Sequence, residues 1–264
     1  MRTSRVLRES RDGLLASCIK INITHPDIVE LAGLAGASAV WLCNEHVPND
    51  WKDLAHCVRA AKIHDMDVIV RVSKGSYSDY LKPFEMDAAG IMIPHVATAA
   101  EARQIVETCR FQPLGRRPMD GGNSDGAYCQ IPAAEYIEAS NREKFLILQI
   151  ESPEAVEHIE EIAAVPGYDF LLFGPGDYAH LIGRVGDVQH PDVMAARRKV
   201  EDAARRHGKK LFAVAAGGTP EDQRERGYTI VSVGGDVWNL GEAFRQAVSK
   251  NQLPAGASSL YGTP

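Results

Sequence analysis

Short runs of apolar, β-branched residues recur along this 264-residue chain, and longer segments of helical periodicity separate them. Most runs are continuously apolar, which is typical of parallel strands covered on both faces. The predicted strands are Leu14–Ile21, Ala39–Cys43, Val68–Val72, Gly90–Val96, Phe145–Ile150, Phe170–Phe173, Leu211–Ala215 and Ile230–Val233. Eight strands alternating with helices favour a single (β/α)8 TIM barrel over residues 1–264, with a doubly wound open sheet as the alternative. No G-x-G-x-x-G motif follows the first strand, so a dinucleotide-binding half is not indicated.

Apolar residues at helical spacing, capping residues and helix-initiating prolines predict helices between the strands. These are Trp51–Asp65, Ala97–Cys109, Pro153–Ala164, Pro191–His207, a helix starting at Thr219, and Leu240–Ser249. The glycine-rich residues 111–131 are predicted to form a long loop, which is either functional, at a subunit contact or a tolerated insertion. Residues 252–264 predict a flexible C-terminal tail, because they are rich in glycine, proline and serine.

Composition and charge limit the partners that such a chain can have. Hydrophobic residues make up 45% and charged residues 24%, as in soluble globular proteins. The net charge of −6 and the lack of a Lys/Arg-rich block argue against nucleic acid binding. No apolar run is long enough to cross a membrane, and the N-terminus lacks the apolar region of a secretory signal. Five cysteines without a C-x-x-C pair predict a cytoplasmic protein without a disulfide framework or zinc site.

Charged or titratable residues stand where four of the predicted strands end. His46 follows the second strand, Arg71 closes the third, Glu151 ends the fifth and Asp177 follows the sixth. The carboxyl ends of barrel strands share one mouth, where active sites are built. Arg71 is expected to need an anionic partner, either Glu45 or Glu151, because a buried guanidinium stays charged. Loop hydrogen bonds, ion pairs or helix caps would explain each residue singly, but their convergence favours catalysis.

The two carboxylates on neighbouring strands, Glu151 and Asp177, can bind one divalent cation. Mg²⁺ suits such a pair because it takes few protein ligands, and Mn²⁺ or Co²⁺ also fit. A bidentate 2-oxo acid would fill the open positions, and the cation would stabilise its enolate. Arg71 would hold the same oxygens, and His46 would move a proton. The segment Gly174, Pro175, Gly176 either allows the main chain to approach a ligand or is a turn that needs positive φ.

Six segments, taken in order and spacing, resemble the HpcH/HpaI class II aldolases. They are "NEHVPND", "VRV", "GIMIPHVATAAEAR", "LQIESPEA", "FGPGDYA" and "QHPDV", between about Trp41 and His207. The resemblance implies a (β/α)8 barrel, usually a homo-hexamer built as a trimer of dimers with exchanged C-terminal helices. It also implies cleavage or formation of 4-hydroxy-2-oxo acids through a metal-bound pyruvate enolate, so that the partners are a small-molecule 2-oxo acid and an aldehyde.

The resemblance implies roles for individual residues of this chain. They are metal ligation by Glu151 and Asp177, catalysis by His46, pyruvate binding by Arg71, contacts to the pyruvate carboxylate from Gly174, Pro175 and Gly176, and a contact to a neighbouring subunit's site from Glu85. At this last position the family more often has aspartate.

The chain departs from the family in three places. Cys43 replaces an aspartate three residues before the catalytic histidine, Pro118 replaces a glycine in the long loop, and "AAGG" at residues 215–218 follows the seventh strand. A carboxylate at this position would orient the ring of His46. A cysteine can do so only as a thiolate, which requires that the pKa of the thiol be depressed. Glu45 or Asp50 are the alternatives for that role.

The leading hypothesis is a metal-dependent aldolase, a carbon–carbon lyase. Two alternatives use the same barrel for a different reaction, as an oxaloacetate decarboxylase or as a citryl- or malyl-type lyase. A third is a metal-binding barrel without catalytic activity.

Overall fold

Eight parallel strands close into a barrel in the computed structural model, which describes residues 1–215 and 217–250. The strands are β1 Ala16–Ile21, β2 Ala39–Cys43, β3 Asp67–Arg71, β4 Gly90–Ile93, β5 Phe145–Ile150, β6 Phe170–Phe173, β7 Lys210–Ala213 and β8 Tyr228–Gly235. Each strand pairs with the next in sequence, and β8 pairs with β1. The predicted single-domain TIM barrel is therefore confirmed, and the open sheet is excluded because no edge strand remains. The predicted tail, 252–264, lies outside the described residues.

Helices cover the outside of the barrel. In the described residues they are α1 Arg5–Arg11, α2 Pro26–Leu34, α3 Trp51–Ile63, α4 Tyr77–Glu85, α5 Ala99–Cys109, α6 Ala133–Glu143, α7 Pro153–Glu157, α8 Ile159–Ala163, α9 Pro175–Leu181, α10 Pro191–Arg206, α11 Pro220–Glu225 and α12 Asp236–Lys250. The helix predicted over Pro153–Ala164 is interrupted at His158, which leaves two short helices. No helix in this part of the chain is long and apolar enough to cross a bilayer.

Strand alternation divides the apolar side chains into two cores. One lies between the strands and the outer helices, and the other fills the barrel interior. In the interior, the rings of Phe145 and Phe170 meet edge to face with centroids 5.3 Å apart, an arrangement that adds about 0.5–1.5 kcal/mol to the burial of their area. The interior is therefore a packed core, and in barrels of this kind ligands bind at the carboxyl ends of the strands.

Helix α1 closes the opposite end of the barrel. Val6 and Leu7 join the interior core. Asp67, at the start of β3, is fully buried and accepts hydrogen bonds from Ser4 Oγ at 2.6 Å and from the Val6 amide at 2.9 Å, while Arg2 pairs with its other oxygen. These partners compensate a carboxylate that would otherwise be costly to bury.

The long connection between α5 and α6 has no helix or strand from residue 110 to residue 132. It is nevertheless tightly held. The side chains of Arg117 and Asp125 are almost completely buried and form an ion pair at 2.8 Å, and the Tyr136 hydroxyl donates to Asp125 at 2.7 Å. A mobile insertion would not bury such a pair, so the segment is a structured part of the protein.

Candidate active site

The inward-facing ends of the strands form the upper layer of the barrel interior. Cys43 at the end of β2 lies in register with Arg71 at the end of β3, and Lys20 on β1 lies in register with Trp41 on β2. Because side chains alternate along a strand, residues two apart, such as Gln149 and its neighbour at position 151, share this orientation. Strand register and side-chain alternation therefore place these residues together at the predicted mouth.

Glu45 is the centre of the polar contacts on the β2 side of the mouth. Its carboxylate lies 3.0 Å from Arg71 Nε, 3.5 Å from His46 Nε2 and 3.4 Å from His95 Nε2. Of the two partners predicted for Arg71, Glu45 is thus the one found. Asp50 is used elsewhere, since it caps α3 by accepting from the Lys52 amide.

Cys43 is a buried thiol that contacts the same arginine. Arg71 Nη2 donates to its sulfur at 3.0 Å, and the His46 amide donates at 3.5 Å. Burial raises the pKa of this thiol, but the charge and hydrogen bond of Arg71 and the amides of residues 46 and 45 outweigh it, so the pKa lies below the usual value. A thiolate is the form that can replace a carboxylate as the acceptor for Arg71.

Glu151 is the most enclosed carboxylate of the mouth, with 1% of its side chain exposed. The His95 amide donates to it at 2.8 Å, the His95 ring Nδ1 lies 3.0 Å away, and Gln149 Nε2 donates to its other oxygen. Burial raises the pKa of Glu151 to about 7; His95 lowers it, and the adjacent Asp177 carboxyl raises it. Glu151 does not cap α7, because Ser152 performs that function.

Gly174 leaves room for this carboxylate. A Cβ at this position would lie 2.7 Å from Glu151 Oε2 and 3.2 Å from Gln149 Nε2. Gly174 has φ of −91°, and Gly176 does not have positive φ either. Positive φ is therefore the wrong explanation for both glycines, and at Gly174 the close approach of Glu151 is the physical one.

Comparison with known proteins identifies the family of this barrel. The family model "HpcH/HpaI aldolase/citrate lyase" matches residues 19–243. The chain belongs to the HpcH/HpaI aldolase/citrate lyase family. It is 32% identical over 238 residues to a 2-dehydro-3,6-dideoxy-6-sulfogluconate aldolase of Pseudomonas putida, covering 88% of this chain and 92% of the relative. It is also 32% identical over 231 residues to a 5-keto-4-deoxy-D-glucarate aldolase of Klebsiella pneumoniae, covering 86% and 87%.

A solved structure of the same family has a closely similar fold. The HpcH/HpaI aldolase from Desulfitobacterium hafniense superposes with a TM-score of 0.87 at 29% identity, covering 96% of this chain and 98% of that one. The predicted family and the predicted enzyme class, a carbon–carbon lyase, are confirmed by these matches.

The predicted site residues of this HpcH/HpaI family member fall into two groups. Contacts through Glu45 and His95 connect His46, Arg71 and Glu151 at the mouth, and Asp177 is adjacent to Glu151. Gly174, Pro175 and Gly176 lead from β6 into α9 beside them. Glu85 is elsewhere: it ends α4 just before β4 begins, at the end of the barrel opposite the mouth.

Two polar residues of the site were missed by sequence reasoning. His95 fell inside a predicted strand that ran to Val96, whereas β4 ends at Ile93 and His95 adopts φ of 54° directly after it. Gln149 sits in an apolar strand two positions before Glu151. That spacing was the available signal, because it places both side chains on the same face.

Proposed function

We propose that this HpcH/HpaI family member is an aldolase that cleaves a 4-hydroxy-2-oxo acid into pyruvate, or a similar 2-oxo acid, and an aldehyde, and catalyses the reverse addition. The observation that carries this proposal is the meeting of a carboxylate pair, Glu151 and Asp177, with the cationic and imidazole side chains gathered by Glu45 at one barrel mouth. The aldolase names of the relatives support it.

The donor set fits a divalent cation. Glu151 and Asp177 are two adjacent carboxyls, one of them buried with a pKa raised to about 7, and a cation would relieve their repulsion. In the described residues no three His, Cys, Asp or Glu side chains are arranged to hold a metal, so water and substrate would complete the coordination, as is usual for Mg²⁺, with Mn²⁺ or Co²⁺ also suitable. When bound, the cation would supply Lewis acidity at the 2-oxo group.

The protein's own residues account for the remaining steps. Arg71, oriented by Glu45 and Cys43, holds the negative charge that develops on the 2-oxo oxygen. His46 is well exposed to the mouth and accepts the proton of the 4-hydroxyl group. The C3–C4 bond then breaks and the aldehyde leaves, while the electron pair of the broken bond remains on the 2-oxo acid as its enolate. Protonation at C3 yields pyruvate.

The main chain at the start of α9 supports binding of the substrate carboxylate. Gly174, Pro175 and Gly176 follow β6 directly, beside Glu151. A Cβ at Gly176 would meet no atom within 4 Å, so a ligand can approach this backbone closely.

Assembly into a homo-hexamer, a trimer of dimers, is part of the proposal. Support comes from large apolar side chains that α2 and α12 leave exposed, among them Leu34 at 74% and Phe244 at 64%. Glu85, remote from its own mouth, would serve a neighbouring subunit, and burial, opposed by Arg117, raises its pKa. All five cysteines are free thiols, which supports a cytoplasmic setting.

The test measures pyruvate release from a panel of 4-hydroxy-2-oxo acids and from oxaloacetate. The wild-type protein is expected to cleave at least one hydroxy-oxo acid, and chelator is expected to abolish the activity. Glu151→Gln and Asp177→Asn are expected to lose at least 100-fold in kcat, whereas Glu154→Gln, an exposed carboxylate three residues away, serves as the matched control. Full activity of either site variant, or turnover of oxaloacetate alone, would overturn the proposal.

A further inference from the structure

The ring of His95 lies between the two halves of the mouth. Its Nδ1 is 3.0 Å from Glu151, and its Nε2 is 3.4 Å from Glu45. Glu151 forms the carboxylate pair with Asp177, whereas Glu45 holds Arg71. The imidazole is 48% exposed, but both carboxylates that it contacts are largely buried. His95 therefore joins the two halves through its side chain, although the proposed reaction gives it no task.

The backbone of His95 adopts an unfavourable conformation. Its φ of 54° lies in the left-handed region, which residues with a Cβ rarely adopt. Such a conformation persists only where the surrounding contacts impose it. Here the amide of His95 donates to Glu151 Oε1 at 2.8 Å, and Lys74 Nζ donates to its carbonyl at 2.6 Å. The ring Nδ1 faces the same Oε1, so one residue holds this carboxylate through its main chain and its side chain.

Lys74 connects this turn to the start of α5. Its Nζ pairs with Glu101 at 2.7 Å, and Glu101 also accepts hydrogen bonds from the amides of Ala97 at 2.8 Å and Thr98 at 3.3 Å. Thr98 and Glu101 form the capping box of the helix. A half-exposed ring is not fixed by packing alone. The contacts of its main chain with a capped helix supply the missing constraint.

Each ring contact has a consequence for the mouth. A carboxylate that binds a metal is oriented by its own hydrogen-bond partners, and loss of such a partner typically costs 10- to 100-fold in metal affinity or activity. His95 holds Oε1 of Glu151 and Gln149 holds Oε2, so the carboxyl group is not free to rotate. On the other side, Nε2 contacts Glu45, which in turn orients Arg71.

We propose that His95 is a positioning residue, which fixes Glu151 for a divalent cation and fixes Glu45 so that Arg71 faces the same 2-oxo acid. Nδ1 performs the first task and Nε2 the second. This inference rests on the proposed aldolase function and deepens it by naming the residue that couples the metal-binding half of the mouth to the half that binds the 2-oxo acid.

The first variant separates the two ring nitrogens. In His95→Asn the side-chain Nδ2 takes the place of the imidazole Nδ1, because each nitrogen is two bonds from Cβ, but no atom replaces Nε2. Asparagine also tolerates the left-handed conformation. Calorimetry at pH 8, without substrate, is expected to give a Kd for Mn²⁺ within about threefold of the wild-type value, whereas the KM for the 2-oxo acid is expected to rise roughly two- to fivefold.

The second variant, His95→Gly, removes both ring contacts. Glycine adopts the left-handed conformation without strain and keeps the amide that donates to Glu151, so the protein is expected to remain folded. Its Kd for Mn²⁺ is expected to rise roughly 10- to 100-fold. The matched control is His56→Ala, which removes an exposed imidazole on α3 and is expected to leave Kd and KM unchanged. Wild-type Mn²⁺ affinity in folded His95→Gly would overturn the proposal.

Two further outcomes are distinguishable. If the ring itself bound the cation, His95→Asn and His95→Gly would lose Mn²⁺ affinity equally, and pulsed EPR of the wild-type complex would detect a coordinated imidazole nitrogen; either result contradicts a positioning role. A wild-type protein that binds Mn²⁺ but releases no pyruvate from any hydroxy-oxo acid refutes the aldolase alone, because the Mn²⁺ affinities of the variants are measured without substrate.

Discussion

Replacement of Gly174 by alanine tests how closely the backbone of β6 fits the Glu151 carboxylate. The new Cβ would lie 2.8 Å from the Cβ of Glu151 and 2.7 Å from its Oε2. Carbon atoms pack at about 3.5–4.0 Å, so Glu151 must retreat by about 0.7 Å or more. The backbone cannot yield easily, because the Gly174 amide donates to the Ile150 carbonyl at 2.9 Å.

The displacement has a catalytic and a structural effect. A shift of about 1 Å in a reacting group costs roughly 100-fold in rate, so Gly174→Ala is expected to reduce kcat by that factor. Overpacking is expected to destabilise the fold by about 1–3 kcal/mol. The melting temperature should fall by roughly 3 °C per kcal/mol in a chain of this size.

The assay couples pyruvate release to a dehydrogenase and is combined with thermal unfolding and calorimetric binding of Mn²⁺. Gly176→Ala is the stability control, because its Cβ meets no atom within 4 Å, and its melting temperature is expected to stay unchanged or rise slightly. Wild-type kcat, metal affinity and melting temperature in Gly174→Ala would refute the reasoning.

Three other changes give distinct expected outcomes. The affinity for the metal is expected to rise about tenfold per pH unit up to pH 7. The reason is that the pKa of Glu151 is raised to about 7, so below that pH its carboxyl must lose a proton before a cation binds. Calorimetry from pH 5.5 to 8 measures the affinity, and a pH-independent Kd would contradict the prediction. Cys43→Ala leaves Arg71 Nη2 without its acceptor and should raise the KM for the 2-oxo acid roughly tenfold. Cys43→Asp should restore the wild-type KM. Steady-state kinetics measure both variants, and a wild-type KM in Cys43→Ala would disprove the role of the thiol. Arg117→Met removes the ion-pair partner of the buried Asp125 and should destabilise the fold by about 3–5 kcal/mol. Urea unfolding measures this free energy, and an unchanged unfolding midpoint would show that the ion pair is dispensable.

The barrel was predictable because its strands are short, continuous apolar runs. Those runs gave β2, β5 and β6 with the observed bounds. Helices without a strong apolar periodicity were missed, as for α1, whose role depends on Asp67, a residue more than fifty positions away. Local sequence does not encode such a contact, because it exists only once the barrel has closed.

The same limit applies to the site. Strand ends identified the residues at the mouth, and the expected partner of Arg71 was one of the two considered. The lowered pKa of Cys43 required knowledge that Arg71 lies in register beside it. His95 required the true end of β4, and the position of Glu85 required the end of α4, which places this residue away from the mouth.

The closure of the barrel by α1 has a consequence for the order of folding. The Ser4 amide donates to Glu143 at 3.1 Å, and Asp67 binds the same segment. The contacts that anchor α1 therefore join residues 63 and 139 positions apart in the sequence, and such non-local contacts form late in folding. The interior core that covers Val6 and Leu7 includes Ile230 on β8, so these two side chains are expected to be fully buried only after the barrel has closed.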